Sequence, residues 1–225
     1  MPRVNEGYFE KKRNEILDAA YRVFAKKPIT SVTMKDVIAE TGFSHGVIYK
    51  YYKDLDEVIR DLLIRINKSN LFNKDVDKIF DECGTDEWIA AIHRLCDLLA
   101  DNMIKAGIDV IKISLYSSVF AVSEPERAKK IAERLGDDGL SPLLYVITAL
   151  NAYLTKVIKE KKLHPSHSVY DIIQFIIVYY GGVENSYVFS ECYNSDDPLN
   201  KYDPKKMFSL MGDSVISMLK GDLNK

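Results

Sequence analysis

The chain lacks long hydrophobic runs, β-like alternation and any familiar catalytic signature. Its longest apolar stretch, Ile172 to Val183, is interrupted by Gln174 and is shorter than the ~20 residues that span a bilayer, so no membrane segment is expected. The N-terminus is polar and charged, unlike a secretory signal. Cysteine is sparse: Cys83, Cys96 and Cys192 are an odd, scattered set, which argues against a disulfide framework and for a reducing, cytoplasmic setting. Glycine-rich phosphate loops, dinucleotide fingerprints and nucleophile elbows are missing. His164 and His167 are spaced H-x-x-H but flank Pro165 in a turn, without matching Cys or carboxylate ligands nearby. His93 and Cys96 share one helix face, and two ligands do not make a zinc site. No catalysis, no metal and no cofactor are expected.

What the 225 residues do contain is helical periodicity. Their 47% apolar content supplies ample core and their 28% charge suits a soluble chain. Leu55, Val58, Ile59, Leu62, Leu63 and Ile66 mark one long helix. Further helices are expected near 85–106, 108–121, 124–135, 141–162, 168–192 and 204–220. Their punctuation is Gly84, Gly107, Pro125, the Gly136–Gly139 segment, the His164-Pro165 turn and the Asp197-Pro198 loop. Nine or ten helices without a strand predict an all-α fold.

The segment from Thr33 to Lys53 carries most of the functional information. Thr33 precedes apolar Met34, Val37 and Ile38, with Asp36 three residues on, in a capping-box arrangement. Gly42 suits the left-handed residue that ends a helix. Ser44 is placed to cap a second helix running through Tyr51 or Tyr52, and Asp54 with Glu57 starts another. Upstream, Ile16, Ala20 and Phe24 give a helix whose apolar face covers the pair, and Pro28 closes it. A three-helix unit results, with Phe43, Ile48 and Tyr52 pointing inward.

The outward face is then Ser44, His45, Gly46, Val47, Tyr49 and Lys50. A helix that enters the major groove of DNA reads base edges with its first side chains. Here these are a hydroxyl, an imidazole and a bare glycine, with Val47 suited to a thymine methyl. Tyr49, Lys50, Tyr51 and Lys53 suit phosphate oxygens, which position the helix. Residues 1–53 hold ten Lys and Arg against six Asp and Glu, a net of +4, which leaves −6 for the remainder of a chain whose total is −2. The attraction for DNA is thus concentrated at the N-terminus. Arg3, Lys11, Lys12 and Arg13 form a basic arm there, as readily a solubilising tail as a DNA contact.

These residues resemble the DNA-binding domain of the tetracycline-repressor (TetR) family of bacterial transcription regulators. The likeness runs over about residues 9–60 and rests on Ile16, Ala20, Phe24, Thr33, Val37, Ala39, Gly42, Phe43, Ser44, Gly46, Ile48, Tyr49, Tyr52, Lys53 and the helix start at Asp54–Val58. It implies that Thr33 and Tyr49 contact phosphates, that Ser44 to Gly46 sit at the bases, and that Lys50 and Tyr51 fall on the backbone. Leu55 stands where many relatives carry a lysine, so that family contact is not carried over.

The division expected is a helix-turn-helix DNA-binding domain over 1–53 and a helical ligand-binding and dimerisation domain over 54–225. Aromatic residues are frequent in the second part, and Trp88, Tyr116, Phe120, Tyr145, Phe175 and Tyr179 are the candidate lining of an effector pocket. Plain core packing is the alternative for each. Gly181-Gly182 interrupts the helix at 168–192 and costs about 1–2 kcal/mol relative to alanine, which calls for compensation by a close backbone approach or marks a kink. The resemblance implies a homodimer through the last two long helices, bound to a palindromic operator and released by a small apolar or aromatic effector. A ligand-responsive repressor is the reading. Its alternatives are a helical ligand-binding or scaffold protein without DNA binding, and an activator with no small-molecule effector.

Overall fold

The computed structural model describes residues 6–68, 70–136, 141–193 and 202–221, and these contain helices and no strand. In chain order the helices are α1 (Glu6–Phe24), α2 (Met34–Thr41), α3 (His45–Ile48), α4 (Leu55–Asn67), α5 (Asn70–Cys83) and α6 (Trp88–Ala106). They continue with α7 (Ile108–Ser123), α8 (Pro125–Ala132), α9 (Pro142–Lys161), α10 (Val169–Tyr193) and α11 (Pro204–Lys220). Arg3, the Asp197-Pro198 loop and most of the Gly136–Gly139 segment lie outside the described residues. No single helix among the described residues is long and apolar enough to cross a membrane.

The chain forms two compact units. One takes in the chain up to Lys68 and the segment from Lys112 through α8; the other holds the remainder. In the first unit Ile16, Ala20 and Phe24 of α1 are buried with Val37 of α2, Ile48 of α3 and Tyr52, as the helical spacing requires. Val58, Ile59 and Leu62 of α4 join them, and Ile113 and Phe120 of α7 with Ile131 of α8 complete this core. Each fully buried side chain of this size contributes ~1.5–3 kcal/mol, so the three short N-terminal helices hold together through what packs around them.

In the second unit α6 is the central helix, with Leu95, Cys96, Leu99, Ala100 and Met103 buried along it. Phe208, Met211, Val215 and Leu219 of α11 join the same core. At Gly212 a Cβ would lie 3.0 Å from Cys96 Sγ, so this glycine lets α11 lie close against α6. Helix α5 was not expected. Its buried positions Phe72, Val76, Ile79 and Cys83 follow helical spacing, but Asn, Lys and Asp between them conceal the face in the sequence.

The glycine pair behaves otherwise than anticipated. Helix α10 runs unbroken through Gly181 and Gly182, and a Cβ at either would meet nothing within 4 Å. Among the described residues no close helix crossing therefore offsets their helix cost. They lie on a flank of α10 whose outward residues include Val178, 74% exposed, and Tyr170, 70% exposed.

Candidate nucleic-acid interface

The local signals at Thr33–Lys53 take the expected form at most points. The Asp36 N–H donates to Thr33 Oγ1 at 3.3 Å, while the Thr33 N–H and hydroxyl donate to Asp36 Oδ2 at 2.8 and 2.7 Å. Lys27 Nζ donates to the other carboxylate oxygen at 2.6 Å. This ammonium, followed by the two Thr33 bonds, holds the Asp36 carboxyl well below the usual carboxylate range. Gly42 ends α2 at φ 69°, a conformation that a β-carbon disfavours.

Helix α3 differs from expectation. It spans His45–Ile48 only, then tightens into turns in which the Lys50 N–H reaches Val47 O and the Tyr51 N–H reaches Ile48 O. Ser44 has the extended backbone of a cap, but its side chain makes no capping hydrogen bond. The second capping box is also altered. Asp54 Oδ1 accepts from the Glu57 N–H at 3.0 Å, whereas Glu57 accepts from the N–H of Lys53 at 2.8 Å rather than from that of Asp54.

This geometry sorts the candidate residues. Ile48 and Tyr52 are buried and Phe43 packs beside them, which anchors the inner face of α3. Thr33, Ser44, His45, Gly46, Tyr49, Lys50 and Lys53 are exposed on the outside, and Val47 is half-buried. Tyr51 turns partly inward, its ring tilted on Phe9 of α1 at 4.6 Å. Both donors of Thr33 are given to Asp36, so its hydroxyl is engaged in holding α2. Leu55 packs against the core.

Two residues of the basic arm, Lys12 and Arg13, are engaged within the unit. Lys12 pairs with Glu15 at 2.6 Å and lies 4.5 Å from the Phe43 ring centroid. Arg13 pairs with Asp61 of α4 and lies over the Tyr52 ring at 5.1 Å. Asp61 also receives Arg60 at 2.6 Å. Two ion-pair clusters within this unit are not visible in the sequence: Arg13–Asp61 beside the Tyr52 ring, and Arg127–Asp56 at the start of α4. Their partners stand 48 and 71 residues apart, so no spacing signal could reveal them.

The six aromatic candidates for an effector pocket fall in two cores. Phe120 is buried in the first unit with Tyr116 packed against it, whereas Trp88, Tyr145, Phe175 and Tyr179 belong to the second. There the Tyr145 hydroxyl donates to Asp77 at 2.6 Å, the Tyr179 hydroxyl donates to Met207 O at 3.0 Å, and the Phe175 and Tyr179 rings are 5.6 Å apart. Among the described residues no three His, Cys, Asp or Glu side chains gather as metal ligands would.

Comparison with known proteins agrees with this geometry. The family model for bacterial regulatory proteins of the tetR family matches residues 16–62. The HTH-type transcriptional regulator YfiR of Bacillus subtilis is 25% identical over 191 residues, covering 84% of this chain and 87% of that protein. An HTH-type transcriptional repressor of Mycobacterium tuberculosis is 34% identical over 56 residues, covering 25% of this chain and 30% of its own length. Among solved structures, a TetR transcription regulator from Haloarcula marismortui superposes with a TM-score of 0.60 at 17% identity, covering 92% of this chain and 96% of that one.

Proposed function

The chain belongs to the TetR family and is a transcription regulator, and on that premise we propose that it is a cytoplasmic, dimeric repressor whose α2–α3 pair reads a palindromic operator. The observation that carries the proposal is the two-sided character of α3. Its inner residues Ile48 and Tyr52 are buried, while His45, Gly46, Tyr49 and Lys50 are exposed together on the other side. In this reading Ser44, His45, Gly46 and Val47 meet base edges in the major groove. The Ser44 hydroxyl spends no bond on capping α3, which leaves it available there. Tyr49, Lys50 and Lys53 face the phosphates and set the register, while Thr33 and Tyr51 reach them only by giving up their contacts with Asp36 and Phe9.

Two copies are needed because a one-turn reading helix contacts few base pairs. An isologous dimer places its reading helices about 34–36 Å apart, on successive major grooves of one face. Of the last two long helices, α10 offers the open flank of Tyr170, Val178 and the glycine pair, whereas α11 is largely engaged with α6. The effector is assigned to the second unit, among Trp88, Tyr145, Phe175 and Tyr179. A ligand that binds a form with mis-spaced reading helices reduces the population that fits the operator.

The test is quantitative binding to duplexes selected by the protein from a random library. Binding should weaken steeply as salt rises. His45→Ala should relax preference at one operator position, whereas Lys50→Ala should weaken all duplexes about equally and make the salt dependence shallower. Failure to enrich any duplex would overturn the DNA-reading assignment. Identical behaviour of the two variants would overturn the division between base and phosphate contacts.

A further inference from the structure

Arg127, on α8, is held by several directional contacts, yet it stands far from the reading face in sequence. Its Nε and Nη2 donate to Asp56 Oδ1 at 2.8 and 2.6 Å, and its Nη1 donates to Glu124 Oε2 at 3.0 Å. The flat guanidinium lies over the buried Phe120 ring at 5.3 Å. The guanidinium is thus held along its N–H edge by two carboxylates and on one face by an aromatic ring. The contact with Asp56 comes first among the causes that raise the guanidinium above its ordinary pKa.

What Arg127 holds is the first turn of α4. Asp56 is its second residue and Glu57 its third, and Glu57 accepts the backbone N–H of Lys53. Lys53 lies in the short segment between the turns that follow α3, which hold Tyr49 and Lys50, and the start of α4. The path from Arg127 to the basic end of the reading face is therefore one ion pair, one helix turn and one hydrogen bond.

We infer that Arg127 is a positioning residue for DNA reading: by clamping Asp56 it fixes the start of α4, and with it the placement of Lys53 and the turn that follows α3. The inference rests on the DNA-reading role proposed above. It also makes a prediction that charge alone reverses. If Arg127 and Asp56 acted only as net charges, removing the arginine would weaken DNA binding and removing the aspartate would strengthen it. If they act as a clamp, both removals weaken it.

The experiment compares wild-type protein, Arg127→Ala, Asp56→Asn and the double variant on the duplex that wild type enriches from a random library. Circular dichroism serves as the check on fold. Both single variants should bind roughly three- to tenfold more weakly, and the double variant should be no weaker than the worse single one, as befits partners in one interaction. Tighter binding by Asp56→Asn, binding within twofold of wild type for both singles, or fully additive losses would each overturn the clamp. If Arg127→Ala fails to fold, Asp56→Asn decides alone, because its near-isosteric amide leaves Arg127 on Glu124 and Phe120. If wild type itself enriches no duplex, the DNA-reading role fails instead, and that result is recognisable before any variant is measured.

Discussion

Tyr52 lies on the inner side of the turn after α3 at 1% exposure, and among the described residues its buried hydroxyl meets no partner with full hydrogen-bond geometry. The Arg13 guanidinium and the Asp61 carboxylate both act on the phenol at close range, by charge and by weak hydrogen bonding that falls short of full hydrogen-bond geometry. Burial is the main reason the hydroxyl is pushed up to about 12, with Asp61 adding to the shift and Arg13 opposing it. Replacing Tyr52 with Phe keeps the ring, its packing on Ile48 and the cation above it, and removes only the stranded oxygen. An unpaired buried hydroxyl costs ~1–3 kcal/mol, and the small void left by the oxygen returns part of that, so a net gain of ~1 kcal/mol is expected. In a chain of this length such a gain raises the melting temperature by about 2–4 °C. The sign also has a pH signature. An unfolded tyrosine ionises near its ordinary value of 10.0, while the folded Tyr52 holds its proton to about 12. Wild type therefore loses stability as pH rises across that interval, and the Phe variant does not lose this part. Thermal melts followed by far-UV circular dichroism at pH 7 and pH 10.5 should show the advantage of Tyr52→Phe widening at the higher pH. A variant less stable than wild type by 1 kcal/mol or more at pH 7 would refute the reasoning, since the hydroxyl would then be making a bond worth keeping.

Two further predictions concern the second unit. Glu184 of α10 is half-buried, and the loss of solvent around its carboxyl raises it to about 7. Because its folded value lies above the unfolded one of 4.5, wild type loses stability as pH rises between them. Glu184→Gln should match wild type in urea titrations near pH 4.5 and exceed it at pH 8, and a pH-independent difference would remove burial as the cause. Val178 is 74% exposed on the open flank of α10. With the proposed dimer formed through this flank, Val178→Glu should give monomer in light scattering and weaken operator binding at least tenfold, because like charges meet across an isologous interface; a variant that stays dimeric would move the interface off this flank.

The sequence was informative where structure is set locally. Thr33–Asp36 and Gly42 are read correctly because a cap and a left-handed turn involve only a few neighbouring residues. Ser44 shows the edge of that rule. Its backbone has the cap conformation, yet its hydroxyl makes no capping bond, because a compatible residue type permits the bond without requiring it. Tyr116 and Phe120 show a different limit. Helical spacing says that an aromatic face is buried, but not in which core. These two pack with α4 and α8 in the first unit, although Ile111, earlier on the same helix, belongs to the second core.

That placement bears directly on how the reading face is held. Phe120 is both a core residue beside Val58, Ile59 and Leu62 and the ring on which Arg127 rests. The apolar contact settles how α7 and α8 lie against α4, and the charged contact fixes the first turn of α4. Neither interaction alone defines both. A ring in a core tolerates small rotations, and a half-exposed ion pair contributes little energy without a rigid seat. Arg127 acquires that seat because its guanidinium is stacked on a buried ring as well as paired. Replacing Phe120 with Leu should therefore weaken the Arg127–Asp56 coupling as well as the core. The double-mutant cycle between Arg127 and Asp56, measured in operator binding, should lose most of its interaction energy in a Phe120→Leu background. An undiminished coupling there would mean that the pair holds α4 without the ring.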